Sequence, residues 1–386
     1  MRLKNIHRQQ KYSNQLGSSQ AGFSLVELMV GLVIGLLATL VIMQIFSVFE
    51  GQKRTTSGTS DAQTSGSVGL YSLQRDLQLA GYGLPLYDVD NMPLKCLAIP
   101  TVDHDDNGLT PEISMSPIDI TDGVVATDSD IVTIRYSTSA TGGIPVPVVG
   151  PAAGLVATVN NNMACFNNDV VYAVIGTNCA ATRVDDNSLD PVITPVRTNF
   201  TTVSLSTMPA NVGDKTSLSC LTRWNEYSYQ IDATVATNPQ LTRLDTFNSI
   251  TPAAIVSGIV NIQAQYGVSA NPTSNQVTQW VNATGAWATA VMTQDNRNRI
   301  KAVRVAIIAR NNLLEKLPAV STACSSTTVA NPTGICAWDA TSANPAIASP
   351  APVIDLTNTA NWDQYRYKVY ETIIPIRNMI WTKDRL

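Results

Sequence analysis

Histidine is nearly absent from this chain: 386 residues hold two, His7 and His104. A mechanism needing two neighbouring histidines has no material here. Histidine-rich zinc sites and two-histidine iron sites fall on the same count. Charge is scarce as well. Asp, Glu, Lys and Arg make up 14% of the chain, where about 25% is usual for a soluble domain, and Ser, Thr, Asn and Ala carry the polar surface instead. The net charge is −4 and no large basic run occurs beyond residue 22, so no basic face is expected for nucleic acid. The sequence lacks GxSxG, P-loop and dinucleotide motifs, and it has no CxxC. His104 is the one histidine outside the first 22 residues. No nucleophile–base arrangement can be built on it, so the chain is expected not to be an enzyme. There is no internal repeat.

What is present begins with length and apolar content. The length allows about two domains. Hydrophobic residues are 44%, enough for a real core, and aromatic and β-branched residues run throughout, which argues against wholesale disorder. Residues 1–22 carry Arg2, Lys4, Arg8 and Lys11 and no acid. Residues 23–49, FSLVELMVGLVIGLLATLVIMQIFSVF, carry one charge, Glu27. About 20 apolar residues cross a bilayer, so this stretch is expected to span one. The basic flank keeps the N-terminus cytoplasmic and sends the rest across. The small residues of an ordinary secretory cleavage site are missing; SVFEGQKR stands in their place. A carboxylate inside an apolar span costs about 3 kcal/mol or more unless paired, so Glu27 needs a partner.

After the span comes EGQKRTTSGTSDAQTSGSVG, whose Gly51, Gly58, Gly66 and Gly69 make poor helix. Leu70, Leu73, Leu77 and Ala80 then return at the spacing of one helix face, and Gly81, Gly83 and Pro85 stop it. One long helix over 23–80 is expected, loosened in its glycine-rich middle, with the last leucines packed on a globular domain. Residues 81–386 read as β-rich, with strands at 130–137, 169–175, 228–231, 241–245, 261–268, 300–309 and 365–374. Gly/Pro/Asn/Ser/Thr segments at 142–154 and 321–352 read as loops. No helices alternate with the strands. The fold class is therefore α+β: a long N-terminal helix packed on an antiparallel β-rich domain.

Six cysteines all follow the span: Cys96, Cys165, Cys179, Cys220, Cys324 and Cys336. An even count in an exported body reads as disulfides, and six allow fifteen pairings. The shortest loops favour Cys165–Cys179 and Cys324–Cys336, leaving Cys96–Cys220. Asp103-His-Asp-Asp-Asn-Gly108 matches the first half of a calcium loop. Asp103, Asp105 and Asn107 are its candidate ligands, with the Leu109 carbonyl. Ser114 stands where the loop's closing glutamate is expected, Glu112 lies two residues earlier, and His104 points away from the ligand side. A solvated turn is the alternative. Calcium is the one candidate cofactor.

The stretch Ala-Gly-Phe-Ser-Leu-Val-Glu-Leu-Met-Val, ending at Val30, resembles the type III signal sequence of type IV prepilins and type II secretion pseudopilins. The resemblance implies cleavage after Gly22 by a prepilin peptidase, N-methylation of Phe23, and an assembly role for Glu27. Residues 1–22 would then be a leader, 23–80 the pilin helix and 81–386 a periplasmic and extracellular domain. Loss of the leader leaves 21 Lys and Arg against 29 acids, an acidic body that suits solubility outside the cell. Further along, DSDIVTIRYS, IVNIQAQYGV, RIKAVRVAIIARN and ETIIPIRN resemble, in order, segments of PilW-type minor pilins. This implies a subunit that is stored in the inner membrane and added to a pilus through its helix. It would prime assembly and sit at or near the tip, with other minor pilins, the major pilin and a tip adhesin. Adhesion and motility are the processes such pili serve. A GspJ-type pseudopilin of type II secretion and an adhesin-like, surface-binding subunit are the alternatives.

Overall fold

The computed structural model describes residues 22–84, 96–103, 112–125, 127–140, 143–185, 201–214, 216–247, 249, 251–315, 333–338 and 349–380. The chain divides into two units, Met1–Lys53 and Arg54–Leu386. A single helix, α1 (Leu25–Leu79), supplies the described helical part of the first and opens the second. Its 55 residues run about 80 Å at 1.5 Å per residue. In the first unit residues 22–53 are exposed on every side, and the helix there is long and apolar enough to cross a membrane.

The glycine-rich middle of α1 is not loosened. The helix is continuous through Gly51, Gly58, Gly66 and Gly69. From Gly58 on, its buried face reads Gly58, Ala62, Gly66, Gly69, Leu73, Asp76 and Leu77; three- and four-residue steps run as far as Asp76, and Leu77 lies four after Leu73, so the set is one helical stripe. The glycines are there because the sheet leaves no room for a side chain. A Cβ on Gly66 would lie 2.2 Å from the Tyr370 ring, and one on Gly69 would lie 3.2 Å from Leu241. Helix propensity, the basis of the sequence expectation, costs about 1 kcal/mol per glycine; close backbone approach to the sheet overrides it. Gly81 and Gly83 end the helix with φ of +75° and +87°, a conformation open to glycine. Pro85 lies outside the described residues.

The second unit is built of antiparallel strands. In chain order they are β1 (Thr101–Val102), β2 (Ile113–Ser114), β3 (Ile118–Thr121), β4 (Ile131–Ser137), β5 (Pro145–Pro147) and β6 (Val156–Thr158). Next come β7 (Val170–Ile175), β8 (Asn178–Arg183), β9 (Thr202–Ser204), β10 (Thr216–Cys220), β11 (Trp224–Asp232) and β12 (Gln240–Asp245). Then follow β13 (Ala253–Ser257), β14 (Ile259–Ser269), β15 (Val277–Val281), the short α2 (Gln294–Arg299), β16 (Ile300–Arg310), β17 (Tyr367–Pro375) and α3 (Arg377–Ile380). A five-stranded sheet has the order β13-β12-β11-β4-β3, and a four-stranded sheet the order β15-β14-β16-β17. A second four-stranded sheet is β5-β10-β7-β8, with β1-β2 and β6-β9 as separate pairs. The seven strands expected from the sequence are all present, within a few residues at their ends. The segment 142–154, expected as a loop, carries β5.

The connectivity holds an insertion. β4 and β11 are neighbours, with Ser137 opposite Trp224, yet 86 residues separate them in sequence (138–223). The described part of that segment forms the β5-β10-β7-β8 sheet and the β6-β9 pair. One face of that sheet adds Val170, Tyr172 and Leu221 to the main core. Its other face closes a second core around Val171, Leu218, Val203 and Leu205. The main core itself collects Leu73 and Leu77 of α1, Trp224 and Tyr229 of β11, and Ile262, Val303 and Ile307 of the β14–β16 sheet.

Candidate functional site

At its start α1 places Glu27 in its first turn, where the helix dipole favours an anion by about 0.3–1 kcal/mol. Phe23, Glu27, Leu28, Gly31, Leu32, Gly35, Leu36 and Thr39 line one groove along the helix. Within it Glu27, Gly31, Gly35 and Thr39 follow at four-residue steps and so share a face. Among the described residues, nothing beyond the adjoining helix backbone lies within 4 Å of a Cβ placed on Gly31 or Gly35. This face differs from the one at Gly66 and Gly69, where the glycines are already filled by the sheet. It offers a carboxylate and a shallow, apolar approach for another helix.

The far end of α1 is locked to its sheet by a group that the sequence reading passed over. Asp76, 1% exposed, interrupts the apolar stripe between Leu73 and Leu77. Its Oδ2 accepts from the Tyr229 hydroxyl at 2.7 Å and from Arg243 Nη1 at 3.3 Å, and Oδ1 accepts from Arg75 Nε at 3.2 Å. Burial, followed by the Asp76 charge, raises the Tyr229 hydroxyl above its ordinary value. The signal in the sequence was an acid at a core position of a helical stripe, which a buried charge requires to be paired. A second ion network spans three strands. Arg135 of β4 reaches Asp119 of β3 and Glu226 of β11, and its Nη1 donates to Ser116 O at 3.2 Å.

Among the described residues two disulfides are placed, Cys96–Cys179 and Cys165–Cys220, which overturns both Cys165–Cys179 and Cys96–Cys220. The β7–β8 hairpin is the reason. Cys179 pairs with Val174 at the turn end of β7, while Cys165 precedes the other end at Val170. Four strand residues are about 13 Å, beyond the roughly 7 Å limit on Cα separation for a disulfide. Cys220 on β10 lies opposite Val171, at the Cys165 end. The two bridges also use opposite faces of this sheet: Cys179 packs on the main core and Cys220 on the second. Cys336 is disulfide-bonded, and Cys324 lies outside the described residues.

For the calcium candidate, Asp103 follows β1, whereas His104, Asp105, Asn107 and Leu109 lie outside the described residues. β1 pairs with β2, Val102 opposite Ile113; one step further, that register sets Asp103 across from Glu112. Glu112 accepts from the Thr101 hydroxyl. Ser114 belongs to β2, and its carbonyl accepts from Trp224 Nε1 at 2.9 Å. Among the described residues no group of three or more His, Cys, Asp or Glu is placed to hold a metal ion.

A lone apolar helix with an acid in its first turn, continued onto an antiparallel β domain, is the architecture of a pilin-like subunit. Residues 17–43 match the model of the Prokaryotic N-terminal methylation motif, and residues 228–378 match the model described as Type IV Pilus-assembly protein W. Together the two matches support a type IV pilin-like PilW protein with a type IV pilus-associated, minor-pilin-like role, in a family that implies association with other pilus components. Proteins of this kind are structural components of pili rather than typical enzymes. The PilW-type match covers β12–β17 and most of β11; the insertion at 138–223 lies outside it. No curated protein and no solved structure matches the chain.

Proposed function

We propose that this chain is a minor pilin that primes pilus assembly and takes a place at or near the pilus tip, among other minor pilins, the major pilin and a tip adhesin. The observation that carries the reading is the methylation motif on an otherwise apolar helix that continues into a PilW-type domain. The subunit waits in the inner membrane with its N-terminus cytoplasmic. A prepilin peptidase removes residues 1–22, Phe23 is N-methylated, and the globular domain faces the periplasm and, after assembly, the cell surface. N-terminal mass spectrometry of the mature protein is expected to find N-methyl-Phe23; an intact leader would count against this processing.

In this reading the N-terminal amine of a neighbouring subunit neutralises Glu27. Opposite charges attract strongly in a low dielectric, although desolvation offsets much of the gain, so the pair sets the axial offset between helices. Gly31 and Gly35 lie on the same face and let the neighbour approach closely. Glu27→Ala and Glu27→Gln are each expected to leave export and cleavage intact while reducing surface pili and recovery of partner pilins. Complementation of a deletion strain tests this. Wild-type piliation with both variants would remove Glu27 from assembly.

A further inference from the structure

The end of the second unit at which the chain enters it is apolar and holds three segments without an acid. Thr55, the second residue of that unit, donates from Oγ1 to Glu315 Oε2 at 3.3 Å. A Cβ on Gly58, three residues later, would collide with the Asn311 amide. The stretch that follows β16 therefore runs along α1 from Gly58 to Thr55. It also holds the tip of the β11–β12 hairpin: Arg310 Nη2 donates to Ala236 O at 2.6 Å, and Asn312 Nδ2 donates to Asn238 Oδ1 at 2.9 Å. Residues 54–58, 233–239 and 310–314 contain no Asp or Glu, and their cations are Arg54 and Arg310. Glu315, next in the chain, is paired with Arg366 at 2.8 Å. Three aliphatic side chains stand out from this end: Val235 is 55% exposed, Leu313 40% and Leu314 41%. Such an end is unlike the chain as a whole, which beyond residue 22 has 29 acids against 21 Lys and Arg.

Chain connectivity says what covers it. The apolar run ends at Phe49, six residue steps before Thr55. Even fully extended, six residues reach only about 20 Å, whatever the angle between the two units. The headgroup layer is about 5–8 Å deep on each side of a bilayer. With the run in the membrane, this end of the second unit is tethered beside the headgroups. We propose that Val235, Leu313 and Leu314 rest in the outer headgroup layer of the inner membrane while the subunit is stored there, a lipid-facing surface that rests on the membrane-stored reading of the proposed function. The aliphatic side chains bury apolar area at the boundary between headgroups and acyl chains. The lack of acids spares this end the repulsion that anionic lipid exerts on the rest of an acidic body. The contact holds the domain against the bilayer until the subunit is extracted.

Photo-crosslinking of the full chain in nanodiscs of phosphatidylethanolamine and phosphatidylglycerol tests this surface. A benzophenone-bearing phenylalanine is put in place of one residue at a time, and mass spectrometry reads the adducts. The positions are Leu37 in the apolar run, Leu314 and Val235 at the proposed surface, and Tyr71. Tyr71 is 66% exposed and lies 16 residues along α1 from Thr55, about 24 Å at 1.5 Å per residue. Lipid adducts are expected from positions 37, 314 and 235, and none from 71. Lipid adducts at 37 with none at 314 or 235 overturn the proposal and leave the membrane-stored reading standing. Adducts at 314 and 235 that join a second copy of the chain in place of lipid overturn it in favour of an interface between copies. Equal lipid adducts at 314 and 71 overturn it as well, because the contact is then not confined to this end. Absence of lipid adducts at 37 removes the membrane-stored reading and the proposal together.

Discussion

Arg135→Met is expected to lower the unfolding free energy by about 3–5 kcal/mol, the cost of removing one partner from a buried ion network. The side chain of Arg135 is 9% exposed and those of Asp119 and Glu226 are 11% and 13% exposed. Methionine fills much of the same volume but leaves two carboxylates in the interior without a cation. Asp119 would keep the Ser116 hydroxyl, which donates at 3.1 Å, and Glu226 the Thr246 hydroxyl, which donates at 2.8 Å. Neither hydroxyl carries a compensating charge. The damage falls on three adjacent strands, β3, β4 and β11, so it should appear as a lower denaturant midpoint for the whole second unit. The triple variant Asp119→Asn, Arg135→Met, Glu226→Gln removes the stranded charges and is expected to recover a large part of the loss. A shift under about 1 kcal/mol for Arg135→Met alone would show that packing, and not ion pairing, holds these strands.

Loss of the Cys165–Cys220 bridge, as Cys165→Ala with Cys220→Ala, is expected to cost about 2–5 kcal/mol. The bridge spans 55 residues, and in the chain-entropy model a loop of that length is worth about 4 kcal/mol. Both cysteines are within the second core, with Cys165 at 0% and Cys220 at 1% exposure. The loss should therefore loosen the inserted sheet first, and the main core, which holds Leu73, Leu77 and Trp224, later. Peptide mapping without reduction is expected to recover Cys96 joined to Cys179 and Cys165 joined to Cys220. Recovery of Cys165 joined to Cys179 would contradict the hairpin register on which the pairing rests. The Cys96–Cys179 bridge spans 83 residues and joins the segment ahead of β1 to the end of the β7–β8 hairpin, so its removal should cost a similar amount.

Local pattern was enough for several features of this chain. A run of 27 residues with one charge makes an apolar helix wherever it is placed, because its backbone bonds close within four residues and its side chains need no particular neighbour. The position of Glu27 in that run, and the basic, acid-free stretch ahead of it, are also matters of sequence alone. Strands such as β4, β14, β16 and β17 were legible because alternation or continuous β-branched runs mark a sheet face without reference to its partner. Other features depend on which distant residues come to share a face, and tertiary structure alone decided them. Gly58, Gly66 and Gly69 look like helix breakers until a sheet is set against them; there they permit an approach that any side chain would block. Cys179 is 14 residues from Cys165, yet the hairpin between them carries it to the opposite end and the opposite face of its sheet, and Cys96, 83 residues away, becomes its partner. Asp119, Arg135 and Glu226 are unremarkable in the sequence and become a network only when β3, β4 and β11 align. That β11 follows β4 across an 86-residue excursion is likewise invisible in one dimension, because loop closure of that length costs little more than closure of a short one.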